Sequence, residues 1–218
     1  MIRNPFAKYV GGLRDFLAGA LFIFNPNTLT FLGLVFNIVV GVLFAFGHVI
    51  GAGYMMILSG AFDILDGAVA RISKKITRFG GFFDSVIDRY SDLAVWVGIM
   101  IYFASIGNTF YLVLSGIAMI GAVMVSYARA RAELAIPLCK VGFMERPERH
   151  ITLMIGAIFN HLITAIWILA VTTHIDAAHR IFFTWKELKR IDGEDDESES
   201  PPPPAERSST PAEDAQAH

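Results

Sequence analysis

Cysteine is almost missing from this sequence: Cys139 is alone among 218 residues. That excludes an intrachain disulfide, and the lack of any CxxC or Cys/His spacing excludes a zinc module. Charge is scarce as well. Asp, Glu, Lys and Arg make up 17% of the chain, against about 25% in soluble domains. Hydrophobic residues make up 54%, and mean hydropathy is +0.52. This balance points away from a soluble domain and toward an integral membrane protein. The opening stretch "MIRNPFAKYVGGLRDFLAGALFIFNPN" lacks a signal-peptide cleavage pattern. Its Arg3, Lys8 and Arg14, set among aromatics, predict an amphipathic helix lying on the membrane surface.

Lys and Arg are also absent from alternate connections. "GHVIG", "SIGNTF" and "NH" carry none, whereas "RISKKITR", "RARAELAIPLCKVGFMERPER" and "KELKR" are rich in them. Apolar runs long enough to cross a bilayer fall near 28–47, 50–70, 82–104, 109–128, 150–161 and 162–184, the fifth being short unless it begins around Arg146. The positive-inside rule then predicts that the basic loops and both termini are cytoplasmic, in a multi-pass protein of the plasma membrane. Continuous hydrophobicity argues against strands. Gly41, Gly53, Gly60, Gly98, Gly116, Gly121 and Gly156 suit close helix packing in lipid. The fold class expected is therefore all-α: a six-helix transmembrane bundle preceded by the interfacial helix. No repeat appears at the scale of a solenoid or a transporter half.

The net charge of −2 hides a division. An acidic, proline-rich end, "DGEDDESESPPPPAERSSTPAEDAQAH", leaves the remainder basic, as suits contact with anionic headgroups or phosphates. Residues 1–190 are read as one membrane-embedded domain and 191–218 as a disordered tail, because the tail has too little apolar surface to order itself. Nothing suggests a nucleic-acid partner; membrane lipids are the expected surroundings.

Within this apolar chain, four acids stand out in "FDILDGAVARISKKITRFGGFFDSVIDR". Asp63 and Asp66 are three residues apart and Asp84 and Asp88 four apart, so each pair shares one face of a helix. Four ionised carboxylates brought together near lipid repel one another unless cations neutralise them. Oxygen-only ligands favour magnesium, manganese or calcium over zinc. Arg71, Lys74, Lys75 and Arg78 supply cationic donors beside them. Acids with metals next to bases describe phosphoryl transfer. The plainer alternative, carboxylates that are merely solvated or paired with Arg71 and Arg89, does not account for two helical pairs at one membrane border. Asp92 continues the face by one turn and is read as a support for Arg89 or Arg131, not as a metal ligand.

The run Asp63-x2-Asp66-Gly67-x2-Ala70-Arg71-x8-Gly80-x3-Asp84-x3-Asp88 resembles the full signature of the CDP-alcohol phosphotransferase (CDP-alcohol phosphatidyltransferase) family. "NPNTLTFLG", with Pro26, Asn27, Thr30 and Gly33, is similar to that family's entry into its first span. The resemblance implies a six-span, usually homodimeric enzyme that moves a phosphatidyl-type group from a CDP-lipid such as CDP-diacylglycerol to an alcohol and releases CMP. It implies two magnesium ions, with manganese a possible replacement. Asp63 and Asp84 would bridge them, Asp66 would complete one site, and Asp88 would complete the other and act as proton acceptor. The CDP moiety would rest on Asn27, Thr30, Gly67, Arg71 and Thr77.

"SYARARAELAIPLCKVGFMERPERH", Ser126 to His150, resembles the phosphatidylinositol-phosphate synthase branch, in which a basic pocket takes the phosphate of inositol phosphate. Arg129, Arg131, Arg149 and Arg180 would occupy that pocket here, with Arg129 where the branch commonly has lysine. Glycerol 3-phosphate or free inositol as acceptor stays open, as does, from another class, a divalent-cation transporter built on the same acids.

Overall fold

A computed structural model describes residues 26–72, 77–139 and 141–199, with side chains over 28–63, 77–139 and 141–193. The expected interfacial helix and the end of the acidic tail lie outside the described residues. Among those residues the chain is six α-helices without a strand: α1 (Pro26–Ala45), α2 (Val49–Ile72), α3 (Arg78–Ser105), α4 (Thr109–Ala132), α5 (Arg146–Ile158) and α6 (Leu162–Glu199). The windows Thr28–Ala45, Thr109–Ala132 and Leu162–Gly193 are long and apolar enough to cross a membrane, and Val49–Asp63 is a shorter apolar helix. Helix α5 does begin at Arg146, yet its 13 residues rise only about 20 Å, short of the ~30 Å hydrocarbon core. Helix α6 runs on through the acidic residues to Glu199, past the boundary that composition places after Arg190.

The helices form three hairpins closed by the same local device. At each tip one residue adopts positive φ: Gly47 (78°), Gly107 (70°) and Asn160 (57°). Glycine lacks the Cβ that makes this conformation costly, and asparagine tolerates it. The following amide then reaches back five residues, His48 N to Leu43 O (2.9 Å), Asn108 N to Phe103 O (2.9 Å) and His161 N to Gly156 O (2.6 Å). Each satisfies a helix-end carbonyl in a Schellman arrangement. Because all three tips are at one end, the acids of α2 and α3 and the arginines of α4 to α6 gather at the other.

Packing neighbours make a closed circuit, α1–α2–α5–α6–α4–α3 and back to α1. Its core includes Val40, Phe44, Met56, Ile99, Ala157, Ile166 and Leu169, while Phe31, Val42, Tyr54, Ile101 and Ile175 remain exposed, as befits side chains facing lipid. Beyond α4 the chain leaves helical structure. There Ile136 and Cys139 pack against Phe183, Leu188 and Ile191 of α6, which explains why α6 outlasts the other helices.

Helix approach is closest where α1 crosses α3. A Cβ on Gly98 would collide with the carbonyl oxygen of Gly41, and one on Gly41 with that of Ala94. Gly53, Gly121 and Gly156 sit equally tightly against neighbouring helices, whereas Gly60 and Gly116 have room for a methyl group. A backbone carbonyl cannot rotate aside, so Gly98→Ala should part the two helices and destabilise the protein by about 1–3 kcal/mol. Gly116→Ala, which meets only the terminal methyl of Met100 at 3.7 Å, should shift stability by less than about 0.5 kcal/mol. Thermal unfolding in one detergent compares them, and equal midpoints would show that the crossing tolerates separation.

Candidate active site

Three helices bring the acids to one guanidinium. Asp63 lies on α2 beside α1, where Gly33 leaves space: a Cβ there would stand 3.2 Å from Asp63 Oδ1. Helix α3 begins at Thr77, whose hydroxyl accepts the Gly80 amide (2.9 Å), and presents Asp84, Asp88 and Asp92 on successive turns. From α5, Arg146 Nη1 donates to Asp63 Oδ2 at 2.7 Å and lies 2.9 Å from Asp88 Oδ1; its Nε donates to Asp92 Oδ1 at 3.3 Å. Asp84 is half-buried one turn from Asp88, within electrostatic reach of Arg146, Asp63 and Arg89. Asp66, Gly67 and Arg71 fall in the last turns of α2, and their side chains, like that of Asn27, lie outside the described residues.

A second constellation is basic. Arg149 is buried; its Nη1 donates to the Met144 carbonyl (2.8 Å) and its Nη2 to Ser126 Oγ (3.2 Å) and Asp92 Oδ2 (3.5 Å). Asp92 therefore supports Arg146 and Arg149, not Arg89 or Arg131 as its spacing suggested, because the start of α5 is folded over that face of α3. Arg180 of α6 is 1% exposed and is held by Asp176, whose other oxygen accepts the Phe143 amide at 2.8 Å. Gly142, at φ 115°, lets the loop pass over it, since a Cβ there would collide with the guanidinium. Arg180 Nη1 is buried without a hydrogen-bond partner. Arg129 of α4 pairs with Glu133 (3.0 Å) and Glu145 (2.8 Å).

Two cavities meet at Arg146. One, about 360 Å³, is lined by Asp88, Ser126, Arg129, Arg146, Arg149 and Arg180 among others; Arg131, exposed two residues beyond Arg129, is outside that lining. The other, about 530 Å³, runs between α2 and α5 and is mainly apolar, lined by Met56, Ile57, Ile151 and Met154 but reaching Asp63 and Arg146. Both are of ligand-site size. Sequence reasoning missed Arg146, Glu145 and Asp176. The signal for the first two was present in "ERPER", where a charge of each sign precedes Pro147; Asp176 is visible only as an acid four residues before Arg180.

Among the described residues, no group of three or more acid, His or Cys side chains is placed to hold a metal by itself. The donor chemistry nevertheless fits a hard cation. Asp63 and Asp88 offer only oxygens, they converge from different helices, and what stands between them is already a cation, the guanidinium of Arg146.

Comparison with known proteins agrees with this geometry. The profile of the CDP-alcohol phosphatidyltransferase family matches residues 23–185. The phosphatidylinositol phosphate synthase of Mycobacteroides abscessus is 38% identical over 189 residues, covering 82% of this chain and 84% of its own. The crystal structure of the Mycobacterium tuberculosis phosphatidylinositol phosphate synthase with CDP-DAG bound is 30% identical and superposes with a TM-score of 0.73, over 79% of this chain and 93% of that one. The same enzyme in complex with manganese and citrate gives a TM-score of 0.71 at 29% identity, over 79% and 88%. An all-helical membrane fold, the acid signature and these matches lead to one conclusion: the chain belongs to the CDP-alcohol phosphatidyltransferase family.

Proposed function

We propose that this protein transfers the phosphatidyl group of CDP-diacylglycerol to a hydroxyl of inositol phosphate and releases CMP. The observation that carries the reading is the meeting of an apolar groove and a basic cavity at Asp63, Asp88 and Arg146. A lipid-linked diphosphate has one apolar and one anionic part, and a phosphorylated acceptor needs a basic site of its own. The acyl chains of the donor enter between α2 and α5, and the acceptor phosphate rests on Arg149, Arg180 and Arg129, with Arg131 at the margin. Bidentate guanidinium forks suit phosphate oxygens. Asn27, Thr30, Gly67, Arg71 and Thr77 hold the CDP moiety.

In the reaction, the acceptor oxygen attacks the phosphorus nearest the lipid, the bond to the CMP oxygen breaks, and Asp88 takes the hydroxyl proton. Two magnesium ions, or manganese, would be held by Asp63, Asp66, Asp84 and Asp88 and would supply neutralisation of the diphosphate charge. By the same reading the six helices span the plasma membrane, the site and both termini face the cytoplasm, and the protein is a homodimer. Family membership and acids confined to one end of the bundle set aside the cation-transporter reading.

The test is CMP release from CDP-diacylglycerol by the purified protein with each acceptor in turn. Inositol phosphate should be used well and free inositol poorly. Arg149→Ala removes a charge-assisted contact of ~1.5–3 kcal/mol and should raise the KM for inositol phosphate roughly tenfold or more. The KM for the CDP-lipid should stay within about twofold, which also checks that α5 remains seated. Equal use of free and phosphorylated inositol, or preference for glycerol 3-phosphate, would refute the acceptor.

A further inference from the structure

The arginines of the basic cavity are already paired with acids: Arg149 with Asp92, Arg180 with Asp176, and Arg129 with Glu133. A fourth acid, Glu145, differs from these. Its Oε1 lies 2.8 Å from Arg129 Nη1 and 4.0 Å from Arg180 Nη2, so a single carboxylate oxygen stands between arginines of two helices. Asp92 and Asp176 are 19% and 0% exposed and Glu133 is 37% exposed, while the Glu145 side chain, 49% exposed, is the most open of the four and lines the cavity.

Its backbone position sharpens the point. Glu145 is the N-cap of α5, where Ser, Thr, Asp or Asn normally turn their side chains onto the first free amides, yet Glu145 makes no cap hydrogen bond. Pro147 follows at the start of the helix and removes one of those amides. The carboxylate is thus turned away from its own helix and onto the phosphate-binding arginines.

We propose that Glu145 is a resident anion that selects for phosphorylated acceptors, being displaced by the acceptor's phosphate. This rests on the acceptor reading above. A neutral polyol brings nothing to exchange for the carboxylate and leaves both arginines engaged. A phosphate dianion offers more charge and more acceptor oxygens than one carboxylate, so it displaces Glu145 where weaker anions do not. The carboxylate acts as a competing group that raises the threshold for entry. Its half-exposed position and missing cap bond mean that it can swing out without breaking the helix.

The test is isothermal titration of the detergent-solubilised protein with inositol phosphate, inorganic phosphate and free inositol, comparing native, Glu145→Gln and Glu145→Ala. Removing a partly exposed competing pair should tighten both phosphates by about fivefold in each variant and leave free inositol unbound. Inorganic phosphate should become a correspondingly stronger inhibitor of CMP release. The sign is diagnostic, since a residue that only shaped the cavity would weaken binding when replaced. If the native protein binds inositol phosphate while both variants bind it equally or less well, the resident-anion role is overturned and the acceptor reading stands. If the native protein binds neither phosphate, both fall together.

Discussion

Asp63→Asn should abolish CMP release, by on the order of 10³-fold or more, while the protein melts within a few degrees of the native form. The expectation follows from where Asp63 stands. It is the α2 contribution to the proposed cation site, whose other described members come from α3, and its oxygen lies 2.7 Å from the nitrogen that also touches Asp88. An amide keeps the shape but lacks the charge that holds a divalent ion against a diphosphate. The fold should survive, because Arg146 retains Asp88 and Asp92. Chelation should mimic the substitution, manganese or magnesium should restore the native protein only, and manganese resonance spectroscopy should find weaker binding in the variant. Full turnover in excess chelator would sink the metal reading.

Asp88→Asn should act differently. Asp88 lines the basic cavity, the side of Arg146 proposed for the acceptor, whereas Asp63 lines the apolar one. A group on that side is placed to receive the acceptor's proton, and loss of such a base lowers kcat by about 10²–10⁴-fold. The KM for the CDP-lipid should change by only a few fold, because Asp63 and Asp84 remain. Steady-state kinetics separate the two quantities. Weakened donor binding with nearly normal kcat would make Asp88 chiefly a metal anchor.

Much of this was legible from residue order because the bilayer leaves few options. Long apolar runs must be helices, and all six begin within about four residues of where hydropathy places them, the largest departure being the end of α6 at Glu199. What precedes the fifth was not legible. Nothing in the hydropathy of 133–145 shows that this stretch folds as a loop against α6, burying Ile136 and Cys139. The acid pairs were equally visible, since helical spacing places Asp84 and Asp88 on one face. Their relation to Arg146 was not, because it depends on α5 packing against α2 and meeting α3, which are 83 and 54 residues away at the contacting positions. Arg149 could be picked out as basic, but not as buried. Asp92 and Glu145 serve as partners to arginines brought in by tertiary packing, and such roles cannot be read from local spacing; Asp176, four residues before Arg180 on the same helix, left a local trace of its pairing.

The three Schellman-closed hairpins have a bearing on biogenesis. Asp63 belongs to the first hairpin, Asp88 and Arg129 to the second, Arg149 and Arg180 to the third. Each hairpin is a local unit that can enter the bilayer as soon as its two helices are made, with its tip fixed by bonds local to the turn. None of them carries a complete set of chemical groups. The proposed site is therefore complete only when all three hairpins are docked and Arg146 reaches the acids of the other two. A half-inserted or misdocked chain holds isolated carboxylates without the basic cavity, and so has no means of consuming CDP-lipid in the membrane where it is being assembled.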